Sequence, residues 1–198
     1  MNRIESLFNS TANTIWGLFA KRPPEDLLRN VKLVAHRGVH ESGIAKENSR
    51  EAFQIAIDNK LWGIEFDVRW TKDNVPVIHH DEDCSRIYNC PRVIADSTFA
   101  ELRQEVPDIM SLEEAIQSYS QKIVFMIELK ETLRGQTVRE EKLAKVLGRL
   151  IPRKHFYLLA LDAQILESVL FVSKKAMINV GLRSFSTPIK QALVFGYG

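Results

Sequence analysis

Gly63-Ile-Glu65-Phe-Asp67-Val-Arg-Trp70-Thr-Lys-Asp-Asn-Val75-Pro-Val-Ile-His79-His80-Asp81 places two acids and two histidines within a run rich in apolar and β-branched residues. Read as a strand, Ile64 to Trp70 puts Glu65 and Asp67 on one face, roughly 7 Å apart, because side chains alternate along a strand. Two carboxylates on one face of an apolar strand repel each other and resist burial. A positive charge between them removes both problems, and a divalent metal ion is the simplest candidate. A second apolar run, Val75 to Ile78, delivers His79, His80 and Asp81 at its end.

Outside this stretch, strands and helices alternate. Apolar runs predict strands over 31–35, 63–70, 75–79, 122–129, 156–161 and 177–182. Helical patterns fall at 49–59, near 98–104, from Ser111 onward, at 137–150 and at 163–173. Such alternation predicts parallel βαβ units, and near-continuous apolar strands predict a sheet covered on both faces. His36, Glu65, Asp67, His80, Glu128 and Lys130 all fall in or at the carboxyl ends of these strands. That edge is where parallel α/β proteins bind ligands. No Gly-x-Gly-x-x-Gly follows any strand, which argues against a dinucleotide fold and favours a closed barrel with a metal centre.

Upstream, Ile4, Leu7, Phe8, Thr11, Ile15, Leu18 and Phe19 recur at helical spacing and predict an amphipathic helix over 1–22. Pro23-Pro24 ends it, and 23–30 reads as a connector. Trp16 and Phe19 beside Lys21 and Arg22 raise the idea of membrane-surface contact. Glu5 and a sparsely basic polar face favour packing on the domain body instead.

Composition narrows the classes further. With 45% apolar and 26% charged residues, the 198-residue chain is an ordinary globular protein of one domain. A net charge of +2 with scattered lysines and arginines argues against nucleic acid as a partner. Cys84 and Cys90 are too few for a disulfide framework and read as free thiols. No apolar run spans a membrane and no secretory leader is recognisable, so a cytoplasmic location is the default expectation.

Glu65, Asp67 and Glu128 together make an all-oxygen site suited to Mg²⁺ or Ca²⁺, whereas zinc would call for cysteine or histidine ligands. His36 and His80 supply imidazoles able to take and give protons near neutral pH. Arg37 offers a fork matched to phosphate oxygens, and Lys130 adds a compact charge on the face of Glu128. Metal, arginine and lysine around one point describe a phosphate site, and two histidines make it hydrolytic.

Ala35-His36-Arg37-Gly38, Glu47-Asn48-Ser49, Glu65-Phe-Asp67, Pro76-Val-Ile-His-His80-Asp81 and Ile127-Glu128-Leu-Lys130 closely resemble the glycerophosphodiester phosphodiesterase family. So do Ser85-Arg86, Val93 to Thr98 and Pro107 to Glu114, and the likeness covers about residues 31 to 184. The resemblance implies an eight-stranded (βα)8 TIM-type barrel and cleavage of small-molecule glycerophosphodiesters to glycerol 3-phosphate and an alcohol. It also implies that the substrate's neighbouring hydroxyl attacks phosphorus, giving a cyclic phosphate that water opens. It carries metal binding onto Glu65, Asp67 and Glu128, acid–base catalysis onto His36 and His80, and phosphate binding onto Arg37 and Lys130. Asn48 takes a supporting role, and His79 is expected to face away from the site. Eight units need roughly 250 residues, and the family's Trp-Thr-Val-Asn strand is missing, so residues 31–198 read as a barrel ending after about six βα units. An inactive phosphate- or metal-binding relative and a lysophospholipase D-like enzyme at membranes are the alternative expectations.

Overall fold

The structure, a computed structural model, describes residues 24–180. The helix expected over 1–22 and the end of the strand expected over 177–182 lie outside the described residues. By contacts the chain divides into Met1–Lys32 and Leu33–Gly198. In the first unit, α1 (Glu25–Arg29) is a single turn inside the expected connector, with Pro24 at its N-cap and no buried residue.

In the second unit, β1 (Val34–His36), β2 (Gly63–Trp70), β5 (Val124–Leu129), β6 (Phe156–Ala160) and β7 (Met177–Asn179) run parallel in the order β1-β2-β5-β6-β7. The helices between them are α2 (Arg50–Asp58), α5 (Leu112–Tyr119), α6 (Thr137–Leu147) and α7 (Ala163–Glu167). Ser49 caps α2 by accepting from the Ala52 amide, and Ser111 and Glu114 form a capping box on α5. Every residue of β2 but Arg69 is buried, as its pairing on both edges and its apolar sequence require.

One expected unit is not a parallel strand. Pro76–Ile78 (β3) is the antiparallel return arm of a hairpin with β2, pairing Val68 with Ile78 and Trp70 with Pro76. Thr71 to Asn74 are too few residues for a parallel crossover, which needs about a dozen. They form a tight turn in which Thr71 Oγ1 donates to Asp73 and accepts from the Val75 amide, while Asn74 takes φ 57°. The described residues therefore hold five parallel strands. A short β4 (Met110–Ser111) continues the antiparallel side beside β3.

Between β3 and β4 lie α3 (Ser85–Tyr88) and α4 (Phe99–Glu105). This segment packs its own small core of Cys84, Ile94, Leu102, Val106 and Ile109 onto Val77. The main core centres on Phe66, whose ring lies 5.4 Å from Phe53 and 5.2 Å from Phe125. Both cysteines are free thiols. Among the described residues no helix is long and apolar enough to cross a membrane.

The turn after β1 sets α2 against the sheet. Gly38 takes φ +80°, and a Cβ there would lie 2.7 Å from Ala52 Cβ and 2.9 Å from its carbonyl carbon. The Val39 amide also bonds the Ala52 carbonyl at 3.0 Å. Gly38→Ala must therefore both strain the backbone and push α2 outward. It is expected to destabilise the fold by about 2 kcal/mol or more, and an unchanged urea midpoint would contradict this packing.

Candidate active site

Strand register assembles the acids. In the β1–β2 pairing His36 stands beside Glu65, and in the β2–β5 pairing Asp67 stands beside Glu128. Glu65, Asp67 and Glu128 thereby share one face, with one oxygen from each lying within 4.8 Å of the others. Lys130 projects its ammonium to 2.6 Å from Glu128 Oε1 and 2.7 Å from Asp67 Oδ1. Only the first of these contacts has hydrogen-bond geometry. His36 Nε2 lies 3.8 Å from Glu65 Oε2, with the ring mostly exposed.

The loop after β1 completes the cluster. Arg37 takes φ 57°, a left-handed conformation costing roughly 1–2 kcal/mol for a residue with a side chain. In return its amide donates to Glu65 Oε2 at 3.1 Å and its carbonyl accepts from the Asn48 amide at 2.9 Å. Its guanidinium hydrogen-bonds Glu47 at 3.0 Å and approaches Asp67 to 3.4 Å. Buried Asn48, also left-handed, donates from Nδ2 to Asp67 Oδ2 at 3.0 Å. Asn48 is thus a direct partner of the cluster, a closer role than sequence motifs alone assign.

Charge in this cluster is unevenly matched. Burial, with the Asp67 and Glu128 charges adding to it, pushes the Glu65 carboxyl up to about 8 despite the Arg37 amide and Lys130. Glu65 Oε1 and Asp67 Oδ1 are buried and accept no hydrogen bond. Glu65 Oε1, and Asp67 Oδ1 which meets only the Lys130 charge, belong to an all-oxygen donor set that fits a hard divalent cation, and such an ion would add the positive charge that three acids still call for. Burial, then the neighbouring Arg37 charge, lowers His36 below its ordinary 6.5.

The two adjacent histidines part company. His79 is buried, donates from Nε2 to the Asp83 carbonyl at 2.8 Å and lies against the Tyr88 ring. Burial lowers its pKa, so it is a neutral packing group. His80 Nδ1 lies 2.7 Å from Asp81 Oδ1. Burial opposes ionisation of Asp81, but hydrogen bonds from Arg86 and His80 prevail and hold it at about 2. An ionised carboxylate only accepts, so Nδ1 carries the proton and Nε2 is left for chemistry. The hairpin brings this segment to the acids: the His79 amide donates to the Asp67 carbonyl at 3.1 Å, and Arg69 Nε to the His80 carbonyl at 2.8 Å. The hydrogen bonds of the His80 ring lead to the cluster through Asp81, Arg86, Glu47 and Arg37 rather than straight to Glu65, Asp67 or Glu128.

Residues 36–187 match the model of the glycerophosphoryl diester phosphodiesterase family. The chain belongs to that family. It is 34% identical over 124 residues to a glycerophosphodiester phosphodiesterase of Bacillus altitudinis, covering 56% of this chain and 50% of that protein. The chain spans about half the length of the curated relatives it matches. A crystal structure of a glycerophosphodiester phosphodiesterase from Thermotoga maritima superposes with a TM-score of 0.68 at 26% identity, over 85% of this chain and 71% of that one. An Oleispira antarctica phosphodiesterase in complex with the product sn-glycerol-3-phosphate gives 0.69 at 23% identity, over 84% and 72%, and speaks for the fold alone. The second unit has the TIM-type α/β barrel fold of these phosphodiesterases, five of its parallel strands falling within the described residues.

Glu65 gives this phosphodiesterase-family site a pH signature. A carboxyl raised to about 8 keeps a proton that the unfolded chain, with its ordinary 4.5, has released. The folded state therefore loses stability from this group as pH rises from 4.5 to about 8. His36 and His79, both lowered, act in the opposite sense below about 6.5. Between pH 6.5 and 8 the melting temperature of the metal-free protein is expected to fall, and Glu65→Gln to flatten the slope. A slope identical in both proteins would remove Glu65 as its source.

Proposed function

We propose that the protein hydrolyses glycerophosphodiesters to glycerol 3-phosphate and an alcohol, with Glu65, Asp67 and Glu128 holding Mg²⁺ or Ca²⁺. The observation that carries this reading is the convergence of three carboxylate oxygens within 4.8 Å, with Lys130 and Arg37 against them. Family membership supports the same chemistry. An ion held by these carboxylates would supply positive charge to the phosphate.

His36, kept neutral at pH 7 by burial and Arg37, is placed to take the proton of the substrate's neighbouring hydroxyl. That oxygen bonds to phosphorus as the bond to the leaving alcohol breaks, and His80, entering the step as the imidazolium with its Nδ1–H on Asp81, gives its Nε2 proton to the departing alkoxide and is left with Nδ1 protonated. Water then opens the cyclic phosphate with the two histidines in exchanged roles, leaving one monoester and one alcohol for each diester and water consumed. Arg37 and Lys130 hold the phosphate oxygens as fixed positive partners. Asn48 keeps Asp67 oriented.

The purified protein is expected to release glycerol 3-phosphate from glycerophosphocholine in Mg²⁺ or Ca²⁺, and to lose that activity in EDTA. His36→Ala is expected to lower kcat on the order of 10²–10⁴-fold, and Glu65→Ala to abolish metal-dependent turnover. Folded wild-type protein with no metal-dependent turnover on any phosphodiester would end this reading.

A further inference from the structure

Arg86 lies on the one-turn helix α3, on no strand of the sheet, and its side chain is about half exposed. Its guanidinium nevertheless makes three hydrogen bonds to two carboxylates from two separate loops. Nε donates to Asp81 Oδ2 at 2.6 Å. Nη1 and Nη2 donate to Glu47 Oε2 and Oε1 at 2.9 and 2.6 Å. Each carboxylate then passes the connection inward: Asp81 Oδ1 accepts a hydrogen bond from His80 Nδ1 at 2.7 Å, and Glu47 Oε1 accepts from Arg37 Nη1 at 3.0 Å.

The fold leaves a gap that this side chain crosses. β1 pairs with β2 at Gly63–Glu65 and β3 with β2 at Val68–Trp70, on the edge opposite β5. Among the described residues no ladder joins β1 to β3. The loop bearing Arg37 and Glu47 and the segment bearing His80 and Asp81 therefore leave one edge of β2 at different heights. Glu47 and Asp81, both ionised, would repel each other without a cation between them. An arginine fork satisfies both in fixed geometry, which a lysine ammonium does not.

We propose that Arg86 is the positioning residue of the site, locking the His80 loop to the Arg37 loop so that proton donor and phosphate clamp are held as one unit. What the two ends do rests on the hydrolase reading; the lock itself does not. The hydrogen bonds of Arg86 go to Asp81 and Glu47 and not to Glu65, Asp67 or Glu128, so it acts on the site through those two carboxylates.

The test reads His80 without requiring turnover. In metal-free ¹⁵N-labelled protein in alkaline buffer, two-bond ¹H–¹⁵N spectra report which ring nitrogen holds the proton, with the signal assigned by its loss in His80→Gln. Wild type is expected to show the Nδ1-protonated form, and Arg86→Ala a mixture with the Nε2-protonated form. An unchanged His80 signal in folded Arg86→Ala overturns the proposal. If Arg86→Ala does not fold, Arg86→Lys, which keeps the charge and loses the fork, carries the same measurement.

Kinetics on glycerophosphocholine with Mg²⁺ separates the two arms. Asp81→Asn is expected to lower kcat and Glu47→Gln to raise KM, while Arg86→Ala does both, each by roughly 10- to 100-fold, as when outer partners that orient a histidine are lost. On a His80→Ala background, Arg86→Ala is expected to cost little further kcat. Equal kcat losses on both backgrounds overturn the proposal. A wild type without turnover removes the hydrolase reading, and the imidazole spectrum alone then decides the lock.

Discussion

Asp67 is an ionisable side chain with no exposure to solvent, and the surroundings are built to hold it. A buried carboxylate is expensive unless cations and hydrogen-bond donors converge on it. Here they come from two stretches of chain: the Arg37 guanidinium and the Asn48 amide from the loop after β1, and the Lys130 ammonium from the end of β5. The Asp67 main-chain carbonyl binds a third, through the His79 amide. The loop after β1, the end of β5 and the hairpin arm β3 are thus drawn to one residue in the middle of β2. Removing the Arg37, Asn48 or Lys130 side chain leaves a buried charge less well matched.

The same logic explains why carboxyls of one type behave oppositely within this small region. Glu65 is pushed up to about 8, because burial and two neighbouring acids outweigh the Arg37 amide and Lys130. Glu47 and Asp81 are held at about 2, because hydrogen bonds from Arg86 overcome their burial. With Lys130 and Arg37 facing three acids, one acid is left over, and the metal-free site settles the imbalance with a proton on Glu65. A divalent ion can replace that proton, which is why acid pKa values here and metal binding are two views of one charge imbalance. Separation of like groups by environment is also what assigns distinct duties in a catalytic site.

Much of this cluster is legible in the sequence because strand geometry is periodic. Glu65 and Asp67 must share a face, as must Glu128 and Lys130, and His36 ends an apolar run. The direction of a short apolar run is not encoded in its hydrophobicity, so Val75 to His79 reads as another parallel strand. The four residues from Thr71 to Asn74 contain the missing information, since only an antiparallel arm can follow so short a turn. The clamp made by Arg86 is illegible for a different reason. Glu47 and Arg86 are 39 positions apart, and no local spacing rule connects them.

That hairpin gives the site a second way of delivering groups to one place. Parallel strands present His36, Glu65, Asp67 and Glu128 in or at their carboxyl ends, whereas β3 doubles back and returns His80 toward Asp67 from the opposite direction. A returning arm needs support of its own, because the chain after it pairs with no parallel strand. Cys84, Ile94, Leu102, Val106 and Ile109 provide this by packing a separate core onto Val77 of the hairpin. α3 follows directly from buried Cys84, and Tyr88 at its other end packs on His79 and the same small core. Arg86 therefore stands on a base fixed at both ends, which is what a side chain needs if it is to hold two loops rather than follow them.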